Sequence, residues 1–174
     1  YDHPSFIDAW IDAARNYNHQ DYDKVIFSYH GLPNSQVNKV YDDNLCDGKN
    51  CEHEVNAENY YCYKSAVYET SKLIAEKLSL PSDKYEVTFQ SRLTNNWLEP
   101  FSDEVLKGYP EQGIKKVLVF SPAFTADCLE TVIEIGAEYK ELFIEAGGQT
   151  LDYVPSLNFS DAWVQAIIDI VDKK

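Results

Sequence analysis

Short apolar runs alternate with longer amphipathic segments along this chain. Four of the runs are rich in β-branched or aromatic residues and are bounded by turn residues, a pattern that predicts β-strands. They cover residues 24–28, 85–89, 116–120 and 150–154.

Segments with helical periodicity lie between and after these runs. They cover residues 4–17, 59–80, 101–109, 127–146 and 159–171. In the second of them one stripe carries Tyr63, Val67, Thr70, Ile74 and Leu78. Strands that alternate with helices predict a parallel sheet with helices on both faces and right-handed crossovers. The expected fold class is therefore α/β with three layers and a four-stranded parallel sheet.

The organisation of the chain is that of one domain with one unusual loop. A length of 174 residues corresponds to a single domain, 1–174. Residues 34–61 form a long polar loop with several cysteines, and loops of this length in compact domains are usually functional or disordered. The chain starts with Tyr1 and contains no methionine, so we interpret it as a piece of a longer protein.

The charge of the chain excludes several classes of partner. With 29 acidic and 15 basic side chains the formal net charge is -14, which argues against binding nucleic acid and gives no indication of peripheral membrane contact. A cation is the more suitable partner. No apolar run approaches the roughly 20 residues of a membrane span and no signal peptide is recognisable, so we expect a cytoplasmic protein.

The expected position of a ligand site is the carboxyl edge of the parallel sheet. Residues 28–33, 90–92, 122–127 and 155–158 leave the strands at that edge. His30 ends the first strand, and a neutral imidazole there could bind a metal ion or accept a proton near neutral pH. A purely structural histidine is the alternative.

Glu130, Glu134 and Glu138 are four residues apart in a predicted helix. Like charges at this spacing destabilise an α-helix by roughly 0.2–0.5 kcal/mol per pair. A capping box with Asp127 at the N-cap would account for Glu130 but not for the other two. The row is either a solvated acidic face or a path along which a divalent cation or a proton passes to His30.

Five blocks of the sequence, in this order, resemble the ferrochelatase family. They are FSYHGLP at 27–33, TFQSRLTNNWLEPFSDE at 88–104, PAFTADCLET at 122–131, EAGG at 145–148 and YVPSLN at 153–158. The resemblance implies a Rossmann-like, chelatase-like domain and the insertion of ferrous iron into protoporphyrin IX to form protohaem. Ferrous iron is then a substrate, and no cofactor is required. The family has two similar halves, and this chain is similar to the C-terminal half, so its partner would be the N-terminal half of the same protein and it would have little or no activity alone.

Carried over to this chain, the resemblance assigns catalysis to His30 and Glu130. It makes His30, Glu130, Glu134 and Glu138 the residues that meet the metal ion. Asp127 is expected to orient His30 or Glu130. The porphyrin is expected to contact Gln90, Ser91, Arg92, Trp97 and Phe124. Trp97 and Phe124 could equally be core residues, and Arg92 could pair with an acidic neighbour instead of a propionate.

The four cysteines are Cys46, Cys51, Cys62 and Cys128. Some ferrochelatases carry a [2Fe-2S] cluster, which four thiolates could hold, but the spacing Cys-x4-Cys-x10-Cys with a distant fourth cysteine does not by itself indicate a cluster. Zinc with His53 and a Cys46–Cys51 disulfide are further alternatives, as is a loop with no metal. For the whole chain two other functions stay open: a homodimeric single-domain chelatase for another tetrapyrrole, and a non-enzymatic metal-binding module.

Overall fold

A computed structural model describes residues 1–42, 46 and 49–172. Its sheet has four strands, β1 Lys24–His30, β2 Tyr85–Gln90, β3 Lys116–Phe120 and β4 Thr150–Tyr153. The order is β2-β1-β3-β4, and the three pairings are all parallel. The predicted strands and the parallel sheet are confirmed, with bounds that differ by at most two residues.

The helices pack on both faces of this sheet. They are α1 Pro4–Ala13, α2 Asn34–Val37, α3 Tyr63–Lys77, α4 Ser102–Gly108, a π-helix Glu130–Tyr139, α5 Lys140–Glu145 and α6 Asp161–Asp172. The first predicted helix is shorter than expected because a turn follows Ala14, where Arg15 N–H bonds to Asp12 O. On the predicted stripe of α3, Val67, Thr70 and Ile74 are buried.

Two hydrophobic clusters separate the three layers. On one face, α1, α3 and α6 cover β-strand side chains such as Phe27 and Phe120. On the other face, α4, the π-helix and α5 cover Ile26, Val117 and Val119. Both faces of the sheet are therefore covered, and β3 accordingly carries four apolar residues in a row, Val117–Phe120.

The segment after β3 is the main departure from the predicted helices. Residues 130–139 form a π-helix, whose hydrogen bonds run from residue i to residue i+5, instead of an α-helix. Gly136 lies within this helix against the ring of Tyr153, and a Cβ there would come within 2.9 Å of that ring. The close approach of the helix to β4 therefore depends on glycine.

The predicted loop 34–61 contains some regular structure. It starts with α2, followed by a 3-10 turn, Asn38–Val40. From residue 49 to 61 the chain forms turns and bends. Residues 43–45 and 47–48 of this predicted loop lie outside the described residues.

Candidate functional site

The candidate site lies at the carboxyl edge of the sheet, where β1 and β2 end side by side. His30 is the last residue of β1 and pairs in register with Gln90, the last residue of β2. The segments that follow are joined by Asn34 N–H to Asn96 O at 2.9 Å and Leu98 N–H to Leu32 O at 2.9 Å. These bonds place Trp97 beside His30.

His30 is held so that one ring nitrogen is available. Its Nδ1 lies 2.6 Å from the carbonyl oxygen of Gly31. Because a carbonyl can only accept, Nδ1 carries the proton and Nε2 keeps a lone pair. The ring centroids of Trp97 and Phe124 lie 6.1 and 6.5 Å from that of the imidazole. Nε2 can thus accept a proton or bind a metal ion between two aromatic side chains.

Tyr63, at the start of α3, fixes the backbone of His30. Its hydroxyl donates a hydrogen bond of 2.8 Å to the carbonyl oxygen of His30. Burial raises the pKa of Tyr63 to about 12, so the phenol stays protonated and remains a donor. Sequence analysis assigned Tyr63 only to a helix stripe, because nothing in the sequence indicates that the first turn of α3 reaches the end of β1.

Glu130 is the carboxylate that interacts electrostatically with His30. Its pKa is lowered by a hydrogen bond from its own backbone N–H, by one from the Cys128 thiol and by the charge of His30. Glu130 is therefore ionised at neutral pH. A negative charge at this position attracts a cation to this edge of the sheet and stabilises a protonated imidazole.

The structure does not contain the predicted capping box. The Asp127 carboxylate accepts hydrogen bonds from Ser156 N–H at 3.2 Å and from the Asn158 side chain at 2.9 Å. It thus binds the segment after β4 instead of His30 or Glu130. The backbone N–H of Cys128 is satisfied by Thr131 Oγ1 at 3.0 Å.

Glu134 is held by hydrogen bonds on both carboxylate oxygens. Oε1 accepts from Ser91 N–H and from the Tyr139 hydroxyl, both at 2.8 Å. Oε2 accepts from Gln90 Nε2 at 2.9 Å and from Ser91 Oγ at 2.5 Å. Two carboxylate oxygens offer about four acceptor positions, so this carboxylate is fully satisfied by the protein. A cation could bind Glu134 only by displacing some of these donors.

Gln90 connects the sheet to the π-helix. This buried side chain accepts from Ser28 Oγ at 2.8 Å, and its Nε2 donates to the carbonyl oxygen of Glu130 at 2.9 Å as well as to Glu134. Gln90 and Ser91, which the sequence placed at the porphyrin, are thus engaged with the helix that carries Glu130. Their contacts fix the distance between the helix and the strand that presents His30.

Arg92 and Glu138 lie apart from the His30–Glu130 pair. The Arg92 guanidinium bonds to Asp103 at 3.0 and 3.3 Å and to Glu104 at 2.9 Å, and it stacks 3.7 Å from the Phe101 ring centroid. Of the two roles considered for Arg92, the structure therefore shows the pairing with acidic neighbours. Glu138 is exposed and lines a shallow depression with Lys107, Glu141 and Glu145.

Comparison with known proteins identifies the family of this chain. The family profile described as Ferrochelatase matches residues 1–174. The chain belongs to the ferrochelatase family. It is 39% identical over 178 residues to the ferrochelatase of Pseudomonas putida strain KT2440, covering 99% of this chain and 53% of that protein. It is also 42% identical over 171 residues to the ferrochelatase of Pseudomonas entomophila, covering 96% of this chain and 51% of that protein.

The chain spans about half the length of these ferrochelatase relatives. A solved structure of a putative cobalamin biosynthesis CbiX protein from Marinobacter aquaeolei is 18% identical, with a TM-score of 0.48, covering 86% of this chain and 94% of that one. That likeness is too slight to carry an argument. The family match confirms the resemblance that the five sequence blocks indicated.

The cysteines of this ferrochelatase-family chain do not form one group of four. Cys128 lies beside Glu130 and Thr131 in the site, whereas Cys46, Cys51 and Cys62 lie in or beside the segment between β1 and α3, where Cys51 raises the pKa of the other two. Across residues 1–42, 46 and 49–172, no group of three or more histidine, cysteine, aspartate or glutamate side chains is arranged to hold a metal ion. The four thiols therefore do not fit a [2Fe-2S] cluster as they stand.

An apolar cavity of about 300 Å³ lies next to the site. It is bounded by α1, α3, α6 and the segment after β3, and Tyr63 lines it as well as bonding to His30. Its other lining residues include Phe6, Tyr29, Ala123 and Trp163. Within the part of the chain that the structure describes, no helix is long and apolar enough to cross a membrane.

Proposed function

We propose that this chain is the C-terminal half of an enzyme that inserts ferrous iron into protoporphyrin IX and releases protohaem. The observation that carries the proposal is the His30–Glu130 pair, in which an imidazole whose Nδ1 is engaged by Gly31 lies close enough to an ionised carboxylate to lower its pKa at the carboxyl edge of the sheet. Membership of the ferrochelatase family over residues 1–174 supports it.

The reaction needs a base and a route for a cation. Ferrous iron replaces two pyrrole N–H protons, so one Fe²⁺ enters the ring and two protons leave it. In our proposal Nε2 of His30 takes the two ring protons one after the other and releases each to solvent, since Nδ1 already donates to Gly31. The same nitrogen could bind the incoming iron before the ring does. General bases of this kind typically contribute 10²–10⁴-fold to a rate.

Glu130 supplies the negative charge in this scheme. Its low pKa keeps it ionised, so it draws Fe²⁺ toward the ring and balances the charge of His30 once the imidazole is protonated. We assign Glu134 a positioning role, because its hydrogen bonds from Gln90, Ser91 and Tyr139 hold the helix on which Glu130 lies. A metal-binding role of Glu138 stays a prediction.

Trp97 and Phe124 are the proposed contacts of the flat macrocycle in this half. Both are only partly buried and both lie beside the imidazole, so their rings offer apolar area where His30 would meet the pyrrole nitrogens. Arg92 is not included, since its guanidinium is already paired with Asp103 and Glu104.

The N-terminal half is the proposed second wall of the porphyrin cleft. One wall cannot exclude water from both faces of the macrocycle or hold its geometry, so we expect little or no activity from the isolated chain.

Iron insertion by the full-length parent protein, with the 174-residue chain in parallel, tests this proposal. Haem formation from protoporphyrin IX and Fe²⁺ under anaerobic conditions should appear with the parent and be absent with the chain. Sedimentation velocity of the chain should be run with the assay. Metal insertion by a dimer of the chain would overturn the two-half proposal in favour of a homodimeric chelatase, and an inactive parent would overturn the assigned reaction.

A further inference from the structure

Four polar side chains are buried between the sheet, α4 and the π-helix. Ser28 belongs to β1, Thr88 and Gln90 belong to β2, and Ser102 is the first residue of α4. None of them exposes more than 1% of its surface. Buried polar groups are costly unless they are hydrogen-bonded, so the partners of these side chains explain why they are there.

The four side chains are joined end to end by hydrogen bonds. Thr88 Oγ1 lies 2.8 Å from Ser102 Oγ, which lies 2.9 Å from Ser28 Oγ. Ser28 Oγ in turn lies 2.8 Å from Gln90 Oε1. The amide nitrogen of Gln90 then donates to the carbonyl oxygen of Glu130 at 2.9 Å. This buried chain therefore ends on the backbone of the residue whose carboxylate interacts with His30.

Each proton in the buried chain has one possible direction. A carbonyl oxygen only accepts, so the Gln90 amide turns Nε2 to Glu130 and leaves Oε1 to accept from Ser28. A hydroxyl has a single proton, and that of Ser28 is used in this bond. Ser102 must therefore donate to Ser28, and for the same reason Thr88 donates to Ser102. All the donors point toward Glu130, an arrangement in which each hydrogen bond polarises the next.

We propose that Ser28 and Ser102 are positioning residues for Glu130, which act by holding the Gln90 amide in this orientation; the proposal rests on the proposed iron insertion. Gln90 pairs in register with His30, so one side chain connects the strand end that presents the imidazole to the first residue of the π-helix. Without the Ser28 hydroxyl, Oε1 of Gln90 loses its donor and the amide is free to turn away from Glu130.

Ser71 provides the matched control for these serines. It is fully buried in α3, on the opposite face of the sheet, and its hydroxyl bonds to the Tyr29 hydroxyl at 2.9 Å and to the Val67 carbonyl oxygen at 2.8 Å. Ser71→Ala thus removes a buried hydroxyl of the same kind and leaves the chain to Glu130 intact. Any effect of lost stability alone should appear in this variant too.

Iron insertion by the full-length parent protein tests the positioning role. Ser28→Ala and Ser102→Ala should lower kcat about 10-fold or more and leave the KM for protoporphyrin IX within about twofold, because they displace Glu130 without removing a substrate contact. Ser71→Ala should keep the wild-type kcat. Wild-type kcat in either chain variant, or an equal loss of kcat in Ser71→Ala, would overturn the proposal.

Gln90→Glu tests the direction of the hydrogen bonds. An ionised carboxylate at this position has no N–H or O–H to offer Glu130, whereas the protonated acid has one donor. The neighbouring Glu134 carboxylate and the burial of the position both favour the protonated acid. The ratio of variant to wild-type kcat should therefore rise as the pH falls from about 8 to about 6. A ratio that does not change with pH would overturn the assigned direction and with it the proposal.

Thermal unfolding of the 174-residue chain separates this proposal from the reaction on which it rests. Ser28 and Ser102 share a hydrogen bond, so the Tm of the double variant to alanine should fall by less than the sum of the two single losses. Additive losses would overturn the buried chain whatever the activity of the parent. An inactive wild-type parent would overturn the proposed function, and the positioning role with it, while non-additive losses would still confirm the hydrogen-bond chain.

Discussion

Tyr139 donates a hydrogen bond of 2.8 Å to Glu134, five residues earlier in the same helix. In an α-helix residues five apart do not share a face, but the i to i+5 repeat of a π-helix brings them together. Ser91 and Gln90 complete the acceptor positions of Glu134 from the sheet side. The π-helix is thus fixed to the end of β2 through one carboxylate, and Glu130 takes its position from this attachment.

Tyr139→Phe should destabilise the protein by about 1–3 kcal/mol, because it removes one donor from the partly buried Glu134 carboxylate. Urea unfolding of the chain measures this free energy. Tyr109→Phe is a matched control, since Tyr109 donates to Glu86 at 2.6 Å away from the site. In the full-length enzyme Tyr139→Phe should also lower iron insertion, whereas Tyr109→Phe should cost similar stability with activity retained. Equal activities of the two variants would contradict the positioning role.

Glu134→Gln should cost about 1–3 kcal/mol of unfolding free energy although the side chain keeps its size. The new amide group would direct N–H donors at groups that are themselves donors, namely Gln90 Nε2, Ser91 and the Tyr139 hydroxyl. Glu138→Gln, on the exposed part of the same helix, should change stability by less than about 0.5 kcal/mol. If thermal or urea unfolding shows the same effect for both, the hydrogen-bond account of Glu134 fails.

Gly148→Ala should destabilise the fold by about 1–3 kcal/mol through overpacking. A Cβ at Gly148 would lie 2.4 Å from the ring of Phe143, which is fully buried. Gly108→Ala is the matched control, because the nearest atom to its Cβ is the end of the flexible Gln112 side chain at 3.7 Å. Differential scanning calorimetry should show a lower Tm for the first variant only; an unchanged Tm would mean that β4 shifts to accommodate the methyl group.

The stability of the chain should fall as the pH rises above about 10. Burial raises the pKa of Tyr29, Tyr63 and Tyr139 above the ordinary 10.0. In this range the unfolded chain has lost these protons and the folded chain still binds them, so folding weakens by up to about 1.4 kcal/mol per pH unit for each such tyrosine. Urea unfolding at pH 9 to 11 measures the slope. Tyr29→Phe should flatten it, and Tyr61→Phe, with 89% of Tyr61 exposed, should not.

The strands and layers were predictable because local and global preferences agree in them. The apolar runs that become β1 and β3 are buried on both faces of the sheet. Their sequence pattern therefore predicts strands of a parallel sheet that is covered by helices on both faces. The position of His30 at the end of β1 then follows from the general location of ligand sites in such sheets.

The π-helix and its attachments could not be predicted from the sequence. Glutamates four apart fit the α-helical period, so the spacing of Glu130 and Glu134 favours an α-helix and a continuous acidic face. The partners of Glu134 come from Gln90 and Ser91, more than forty positions earlier in the chain. Asp127 was placed in a capping box for a similar reason, since its true partner Asn158 is 31 positions away. Only the folded chain brings these residues together.

The central claim is that His30 and Glu130 carry out metal insertion together. Iron insertion into protoporphyrin IX by the full-length enzyme tests it most directly, with His30→Ala and Glu130→Gln compared with His19→Ala and Glu111→Gln. His19 and Glu111 precede β1 and β3 and so lie at the opposite edge of the sheet. We predict a loss of about 100-fold or more in both site variants and none in the controls. Full activity in either site variant would contradict the account.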